Sequence, residues 1–600
     1  MGGNNCKSFS PSSKVKLSTS SADSFSSKCS DNQKNDSERT IRSASSAGKG
    51  EGMDYIEDVV CDETDIKENE MKLLPLGADG GKILLIKQKG ELHAIGTKCT
   101  HYGALLNTGA LGEGRVRCPW HGACFNIKTG DIEDYPGLDS LPCYKVTVSQ
   151  GKIRVKAKRT DLSANRKIKD MCKLKPENEK VVVIVGGGPA GATCAETLRQ
   201  QGFDGRVVMI CKETVLPYDR VKVSKVIDFD VQKALLRSQS FYDEHSIETR
   251  LGVEATSLNT QKKSISLSNG EELCYDYLFI ATGSKARKPD IPGVDLKNIF
   301  LMRDHTDAEA LNAQLSNEKH MVILGFGFIG METAAFCANK CASVTIIGRT
   351  SAPFEAVFGQ EIGERIKKEF EDKGVKFVTN SGIKKILMNE TDPASVGSVE
   401  LNDGTTLPAD ILILGVGSTL YTEWLKGSCV NVLSNGSIEV DEFLKTNIEN
   451  IYAGGDIAYA PVYAAGVKAS IGHYSLAHYH GRIAAMNICQ KNTPLRTVPY
   501  FWTTLFGKSY RYSGYGNPEK IRIYDSLMDL RFFAYHIKDG KVIAMSSVAR
   551  DPIVSDFANY IHEGKFVSEE EIEQNPTQWM RHKPKDFQIP VKQTVQLSKS

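Results

Sequence analysis

The sequence has no run of apolar residues that approaches the ~20 needed for a membrane-spanning helix. It also lacks an excess of charge, because 75 basic residues oppose 73 acidic ones, and this balance does not predict a nucleic-acid-binding surface. No Cys-x-x-Cys pair occurs, so the dithiol relay of thioredoxin-like enzymes is excluded. The 15 cysteines follow no secretory signal. We therefore expect mostly free thiols in an intracellular, reducing compartment.

A chain of 600 residues is too long for one hydrophobic core, and composition and apolar patterning change along it. The first residues are rich in Ser, Asn and Lys and poor in aromatics, which predicts disorder. Short apolar runs between glycine turns predict a small β domain, and strand–glycine–helix units predict two α/β domains. The predicted segments are a disordered tail at 1–52, a β domain at 53–158, a charged linker at 159–178, a first dinucleotide domain at 179–315, a second at 316–440, a return to the first at 441–492, and a C-terminal α+β domain at 493–600.

The N-terminal tail offers several alternatives. Its start resembles an N-myristoylation site at Gly2, with Cys6 in place of the usual Ser or Thr. Acylation of Cys6 would supply the second anchor that stable membrane binding needs. A passive tail and a mitochondrial presequence remain open, although no arginine precedes Arg39. We therefore expect a mitochondrial or cytoplasmic protein, with membrane association through the N-terminus as an alternative.

The most specific motif is Cys99-Thr-His101, followed after sixteen residues by Cys118-Pro-Trp-His121. Two thiols and two imidazoles on two loops match a Rieske centre, in which two histidines replace two cysteines on one iron of a [2Fe–2S] cluster. We predict Cys99 and Cys118 as ligands of one iron, and His101 and His121 as ligands of the other. A zinc site is the alternative, although the Cys-x-His half does not have zinc-finger spacing.

Gly186-Gly-Gly188-Pro-Ala-Gly191 follows an apolar strand and opens a helical stretch. In this Rossmann-like fingerprint the glycines permit the tight turn, the approach of a pyrophosphate and the packing of helix on strand. The pyrophosphate binds at the helix N-terminus. The acidic residue expected after the second strand is displaced, because Lys212 stands there. Glu213, one position later, is our candidate ligand for the ribose hydroxyls.

Gly325-Phe-Gly327-Phe-Ile-Gly330 repeats this fingerprint about 140 residues later. The next strand ends at Gly348-Arg349, where an NAD-specific site usually carries an acidic residue. An arginine near this position accommodates the 2′-phosphate of NADP. The sequence therefore favours NADPH over NADH. The alternative is that Arg349 is solvated and contacts no nucleotide.

The two fingerprints, the two cysteine–histidine loops and the segment Pro499-Tyr-Phe-Trp502-Thr resemble the apoptosis-inducing-factor-like family, specifically its Rieske-bearing branch, over about residues 53–600. The second half is also similar to bacterial ferredoxin reductases. Further motifs that carry the likeness are Pro119-Trp120, Phe125-Asn-Ile-Lys-Thr-Gly130, Leu216-Pro-Tyr-Asp-Arg220, Ser224-Lys225, Thr282-Gly283 and Ile451-Tyr-Ala-Gly-Gly-Asp456.

The resemblance implies a multidomain fold, with an all-β Rieske domain joined to an α/β two-dinucleotide flavoprotein and an α+β C-terminal domain. It implies FAD in the first dinucleotide domain and NAD(P)H in the second. Residues that it places at FAD are Arg220, Lys225, Ala255, Thr282, Gly283, Asp456 and Trp502. It also places Glu332 near the nicotinamide. No residue is assigned as catalytic, because the cofactors carry the chemistry.

The activity that the resemblance implies is transfer of a hydride from NAD(P)H to flavin, then of single electrons to the Rieske cluster and to an external one-electron acceptor. It also implies a link to cell death, and a homodimer through the C-terminal domain is an option. A nucleotide- or redox-sensing signalling protein is the alternative from a different class. A Rieske oxygenase is a further one, because His473 and His478 have a spacing that mononuclear iron sites use. Cys337 and Cys341 are interpreted as packing residues.

Overall fold

The computed structural model describes residues 54–78, 80–583 and 593–596. The predictions of a disordered tail at 1–52 and of acylation at Gly2 and Cys6 therefore lie outside the described residues. Within them, no helix is both long and apolar enough to cross a membrane.

The N-terminal domain is all-β, as predicted. Its six-stranded antiparallel sheet has the order Tyr55–Asp62, Lys152–Lys158, Cys143–Ser149, Glu91–Ile95, Gly81–Gln88 and Glu70–Leu76. A four-stranded sheet contains Ala110–Gly112, Arg115–Arg117, Cys124–Asn126 and Ile132–Asp134. The apolar run Ile83–Ile86 is buried throughout because Ile83 and Leu85 face one core while Leu84 and Ile86 face another.

The charged linker at 159–178 makes specific contacts with the β domain. It opens with the helix Arg159–Ala164, and Asn165 then accepts hydrogen bonds from the amides of Thr97 (2.7 Å) and Lys98 (3.2 Å). Lys167 forms a β-bridge with Ser140. The segment is therefore fixed to the β domain next to Cys99, because its polar groups satisfy backbone groups there.

The first dinucleotide domain contains a parallel sheet in the order Ile247–Leu251, Arg206–Cys211, Val181–Val185, Tyr277–Ile280 and Ile451–Ala453. Apart from the edge strand Ile247–Leu251, its strands are nearly continuous apolar runs because both faces are covered. The helices Pro189–Gln200 and Tyr474–Ile488 pack against each other on this sheet. Smaller elements are the sheet Ala255–Asn259, Ser264–Leu267 and Glu272–Cys274, and the helices Lys222–Lys225 and Gln239–Glu244. The last strand of the parallel sheet comes from the return segment, which brings Asp456 back to this domain.

The second dinucleotide domain repeats the plan with the parallel order Ile299–Phe300, Ile411–Leu414, His320–Leu324, Ser343–Ile347 and Lys376–Val378. Its helices are His305–Gln314, Phe328–Cys337, Glu355–Phe358 and Gln360–Glu371, and its small sheet is Ile383–Met388, Val396–Leu401 and Thr406–Pro408. The pair Ser284–Ala286 and Ser418–Leu420 and the sheet Ile438–Glu439, Ala458–Val462 and Val467–Ala469 complete the dinucleotide region.

The C-terminal domain is α+β. Its sheet has the order Tyr500–Leu505, Lys508–Gly514, Lys541–Val548, Arg531–Lys538, Lys520–Ser526 and Gln593–Gln596. In the chain, the helices Ile553–His562 and Glu569–Gln574 follow the strand Lys541–Val548. We call Ile553–His562 the docking helix, because it packs against the β domain through the strand Ala110–Gly112. The combination of an all-β domain, two α/β domains and an α+β domain confirms the predicted fold class.

Candidate functional site

The four predicted cluster ligands lie together at the tips of two loops. Each loop is closed by a backbone hydrogen bond, from Cys99 N to Ala104 O (2.8 Å) and from Cys118 N to Ala123 O (2.7 Å). Both cysteines are buried. The hydrogen bond that the Cys99 thiol donates to Cys118, together with burial, raises the pKa of Cys99. The two motifs, separated in the sequence, therefore bring their four side chains to one place in the structure.

The two histidines face each other, with their Nδ1 atoms 3.0 Å apart. Burial lowers the pKa of His101 to about 4 and that of His121 to about 2, so both rings are neutral near pH 7. Neutral imidazole is the form that binds metal.

This donor set fits a binuclear cluster. It forms two pairs, thiol with thiol and imidazole with imidazole, as a cluster with one iron for each pair requires. Zinc would need all four donors around one centre. Among residues 54–78, 80–583 and 593–596, no three His, Cys, Asp or Glu side chains surround a single metal position. The geometry therefore favours the Rieske assignment over the zinc alternative.

The cluster loops lie against the reductase half of the same chain. The ring of His121 is 4.4 Å from the indole of Trp502, and the ring of His101 is 6.1 Å from it. A Cβ atom on Gly122 would come within 2.6 Å of the Tyr500 ring, and Gly122 has φ of +77°. Only glycine permits both this contact and this backbone conformation.

The docking helix binds the same loops with two side chains from one face. Ser555 donates to the carbonyl of the ligand residue Cys118 at 2.9 Å. Asn559 donates to Ala110 O at 3.2 Å and accepts from Arg117 Nε at 2.9 Å. All of these groups are buried, so each hydrogen bond satisfies an atom that water does not reach.

A cavity of about 940 Å³ runs from the first glycine fingerprint to Trp502, at the upper end of the size range of ligand sites. Its wall includes most of the residues that we predict at FAD: Gly186, Gly188, Glu213, Arg220, Lys225, Ala255, Thr282, Gly283, Asp456 and Trp502, together with Glu332. Gly186 has φ of +132°, and a Cβ there would lie 2.1 Å from Ala281 O. Gly191 does not line the cavity. It packs against the turn, because a Cβ on it would lie 2.0 Å from Gly186 O. A long, narrow ligand with a pyrophosphate fits this wall.

Charged pairs lie at one end of the cavity, and the sequence motifs predicted only some of their residues. Glu213 pairs with Arg220 and accepts a hydrogen bond from Tyr218 at 3.0 Å. Beyond it, Lys212 lies 3.1 Å from Glu254, which also accepts from Tyr421 at 2.6 Å. The hydrogen bond from Tyr421 lowers the pKa of Glu254. Sequence reasoning missed Glu254, although it directly precedes Ala255 and restores an acidic group where Lys212 replaces one.

Glu332 is the buried centre of a second network. Its carboxylate accepts from Ser224, from Lys225 and from Thr503, the last at 2.7 Å. Glu332 and its partners come from three parts of the chain, so the network joins both dinucleotide domains to the C-terminal sheet. The network holds a charged pair inside the cavity wall.

Asp456 and His473 lie in the same cavity. Ser284 donates to Asp456 at 2.7 Å. Burial lowers the pKa of His473 to about 4. His478 instead bonds to Thr193 at 2.6 Å and stacks on Tyr135. The two histidines of the oxygenase alternative therefore have different surroundings and do not form a metal site.

The second fingerprint repeats the geometry of the first, since a Cβ on Gly325 would lie 2.2 Å from Gly415 O and one on Gly330 the same distance from Gly325 O. Gly325, Gly327 and Gly330 lie outside the wall of the large cavity. Arg349 is exposed. Its role towards a 2′-phosphate therefore stays a prediction.

Three buried cysteines outside the ligand set are packing residues. Cys337 and Cys341 are buried and unbridged, and burial raises the pKa of both thiols. Cys124 is likewise a free, buried thiol. Cys337 and Cys341 therefore pack in the core and form no redox pair.

Comparison with known proteins agrees with this geometry. Residues 57–145 match the Rieske [2Fe-2S] domain, and residues 180–481 match the pyridine nucleotide-disulphide oxidoreductase family. The chain is 37% identical to Apoptosis-inducing factor 3 of Mus musculus over 527 residues, which is 87% of this chain and 86% of the relative. It is 29% identical to the benzene 1,2-dioxygenase system ferredoxin–NAD(+) reductase subunit of Pseudomonas putida, over 65% of this chain and 94% of the relative.

Among solved structures, the covalent putidaredoxin reductase–putidaredoxin complex matches with a TM-score of 0.64 at 25% identity, covering 67% of this chain and 97% of that chain. The chain therefore belongs to the pyridine nucleotide-disulphide oxidoreductase family, as a member with a Rieske domain, and is an NAD(P)H-dependent flavoprotein oxidoreductase with FAD and a [2Fe–2S] cluster as cofactors.

Proposed function

We propose that this protein carries electrons from NAD(P)H through FAD to its own Rieske cluster, within one chain, and then to an external one-electron acceptor. The observation that carries the proposal is the 4.4 Å contact between His121 and Trp502. Trp502 also lines the cavity that fits FAD. The cluster site and the cavity thus share one side chain as a wall.

When bound, FAD accepts a hydride from NAD(P)H and releases electrons singly, and the cluster carries one electron. The chain's own residues position these groups. Glu332 and Lys225 form a partly buried charged pair in the cavity wall, and His101 and His121 present neutral rings at the far end. The absence of a Cys-x-x-Cys pair removes the disulfide that would otherwise compete for the electrons.

Contacts across the domain boundary support transfer inside one chain over transfer between the chains of a dimer. Ser555, Asn559 and Tyr500 all hold the cluster loops of their own chain. The solved relative named above is a complex of a reductase with putidaredoxin. Here the Rieske domain would take the place of such a separate carrier.

A role in cell death and a location are further parts of the proposal. The support for cell death is the name of the mouse relative, Apoptosis-inducing factor 3. We place the protein in the mitochondrion or cytoplasm because of its cysteine content. A lipid anchor at Gly2 and Cys6 and a homodimer stay sequence-based predictions. A sensor that binds nucleotide with negligible turnover is the alternative, and steady-state reduction of an artificial electron acceptor separates the two.

Anaerobic stopped-flow mixing with NAD(P)H tests the electron path. We expect flavin absorbance to fall first and Rieske absorbance to fall second, at a rate independent of protein concentration. His101→Ala should keep the first phase and abolish the second. A cluster that stays oxidised beside fully reduced flavin would overturn the proposal and favour the sensor alternative.

A further inference from the structure

We infer that an exposed apolar patch formed by Tyr102, Leu105 and Trp120 is the docking surface for an acidic one-electron carrier protein. We call this patch the cluster rim. The inference rests on the proposed function, because it names the side on which electrons leave the Rieske centre and the chemistry of the partner that collects them.

One side of the ligand histidines is closed within the chain. Trp502 lies 4.4 Å from the ring of His121, and the Tyr500 ring presses on Gly122. A carrier cannot reach His121 from the cavity side while these contacts hold. Electrons must therefore leave by another face of the cluster loops.

The cluster rim is the solvent-facing part of those loops. Tyr102 is 48% exposed, Trp120 is 41% exposed and Leu105 is 40% exposed. The ring of Tyr102 stacks on His101 at 3.8 Å, and the ring of Trp120 lies 6.3 Å from that of His121. Each ligand histidine thus has an exposed aromatic ring beside it. Exposed aromatic groups of this kind are typical of protein interaction sites.

The rim is fixed in place by its polar atoms, which bind the reductase half. The hydroxyl of Tyr102 donates to Asp219, and the carbonyl of Trp120 accepts from Arg511 Nε at 3.0 Å. Both side chains stay partly exposed beside these bonds, Tyr102 at 48% and Trp120 at 41%. A partner would meet a surface that is already ordered, which lowers the entropic cost of association.

The charges beside the rim favour an acidic partner. Lys98 forms a β-bridge with Leu105, and Lys222 acts electrostatically on His101. Neither lysine joins an ion pair within the described residues. Asp551 lies 3.0 Å from Arg511, which offsets its charge. Asp219 is bonded by the hydroxyl of Tyr102, which carries no charge, and it acts on His101 in opposition to Lys222. The two lysines outnumber this one uncompensated carboxylate. Such a surplus of positive charge steers negatively charged carriers and makes the association sensitive to salt.

The electron balance fixes the stoichiometry of the partner reaction. One NAD(P)H releases two electrons and becomes NAD(P)⁺ with release of one proton. Two carrier molecules each take one electron in separate encounters at the rim. Electron-transfer encounters of this kind use small interfaces, and three exposed apolar side chains suit such an area.

The test uses the full-length holoprotein and two haem probes of opposite charge, the acidic soluble domain of cytochrome b5 and the basic cytochrome c. Binding of each oxidised probe is measured by titration calorimetry at low and high salt, and its reduction by NAD(P)H is measured in parallel. We expect the acidic probe to bind at low salt, and Trp120→Ser and Leu105→Ser each to weaken this binding at least fivefold. Lys98→Glu should weaken it similarly.

Matched controls lie on the same domain, in the six-stranded sheet. Tyr55 is aromatic and 41% exposed, as Trp120 is, and Lys145 is an exposed lysine. Tyr55→Ser and Lys145→Glu should leave probe binding unchanged. Iron content and the EPR spectrum verify the cluster in each variant. If Trp120→Ser loses the cluster, the rim inference is judged on probe binding by Leu105→Ser and Lys98→Glu.

Two failures are distinguishable. If wild-type protein reduces its cluster internally but the rim variants bind and reduce the acidic probe as the controls do, the rim inference is wrong and the proposed function stands. Tighter binding of the basic probe would also overturn it. If the cluster stays oxidised in wild-type protein, the proposed function fails, whereas the binding titrations still report on the rim.

Discussion

The indole of Trp502 lies 4.4 Å from the imidazole of His121 and 5.8 Å from that of His473. His121 is a predicted cluster ligand, and His473 lines the cavity that fits FAD. One side chain of the C-terminal sheet therefore separates the two redox sites. The reductase half supplies this wall and the Rieske half packs on it.

Replacing Trp502 should interrupt the path between the two sites. We expect Trp502→Ala to slow internal cluster reduction at least tenfold, which is ~1.4 kcal/mol in the barrier, because solvent enters where the ring packed. Trp502→Phe, which keeps an aromatic ring, should slow it less. Stopped-flow absorbance at flavin and Rieske wavelengths measures both phases, and an unchanged second phase in Trp502→Ala would contradict the role.

The metal content distinguishes the Rieske centre from zinc. Wild-type protein should contain two irons and two sulfides per chain, and reduced protein should give the low-average-g EPR spectrum of a histidine-ligated cluster. Cys118→Ser should lose the cluster yet keep the flavin absorbance, because the FAD cavity is built by other residues. Cys124→Ser, at a buried thiol outside the ligand set, is the matched control. One zinc per chain without iron would refute the assignment.

The docking helix should hold the Rieske domain in its working position. Asn559→Leu leaves Arg117 Nε and Ala110 O without their buried partner, and each such loss costs ~1–3 kcal/mol. We expect a lower free energy of unfolding in urea and slower cluster reduction, with flavin reduction unchanged. Asn431→Leu, at an exposed position, should change neither. Destabilisation without slower transfer would make Asn559 a merely structural residue.

Local motifs made the cluster and the FAD cavity predictable. Cys99 and His101 are two residues apart, so their spacing alone predicts that both ligands lie on one short loop. The contact between Arg117 and Asn559 joins residues 442 positions apart, and no local pattern signals it. Sequence reasoning missed Glu254 for a related reason. Its contact with Lys212 depends on the three-dimensional arrangement of the chain and not on local spacing.

The linker shows the limit of composition as a guide. Its charges predicted a linker, and composition gave no sign that Asn165 within it would accept hydrogen bonds from the amides beside Cys99. The conformation of Asn165, with φ of +51°, aims its side chain at these amides. A single polar residue with a left-handed backbone conformation can therefore anchor a segment whose composition predicts a linker.

The nicotinamide preference tests the prediction for Arg349. If its exposed guanidinium meets a 2′-phosphate, NADPH should be oxidised at least as efficiently as NADH. Arg349→Glu should then lower kcat/KM for NADPH at least tenfold, ~1.4 kcal/mol, and spare NADH. Steady-state kinetics with both nucleotides measure the ratio, with Lys376→Glu on the neighbouring strand as a charge control. A wild-type preference of tenfold or more for NADH would make Arg349 a solvated residue.

Buried neutral histidines should make the protein sensitive to acid. His536 is fully buried and bonds to Ser546 at 3.0 Å, and burial lowers its pKa to about 3. An unfolded histidine has a pKa near ~6.5, so between these values the unfolded chain binds one more proton than the folded chain. The stability from this group is complete above pH ~6.5 and is lost as pH falls towards 3.

One such proton changes the free energy of unfolding by ~1.4 kcal/mol per pH unit. We expect His536→Gln, which keeps a hydrogen-bonding group, to reduce the slope of unfolding free energy against pH by about this amount near pH 5. His245→Gln is the control, because that ring is not fully buried. Urea unfolding at pH 4.5, 5.0 and 5.5 gives the slopes. If His536→Gln and wild-type protein have parallel slopes, His536 carries a proton in both states and its burial does not hold it neutral.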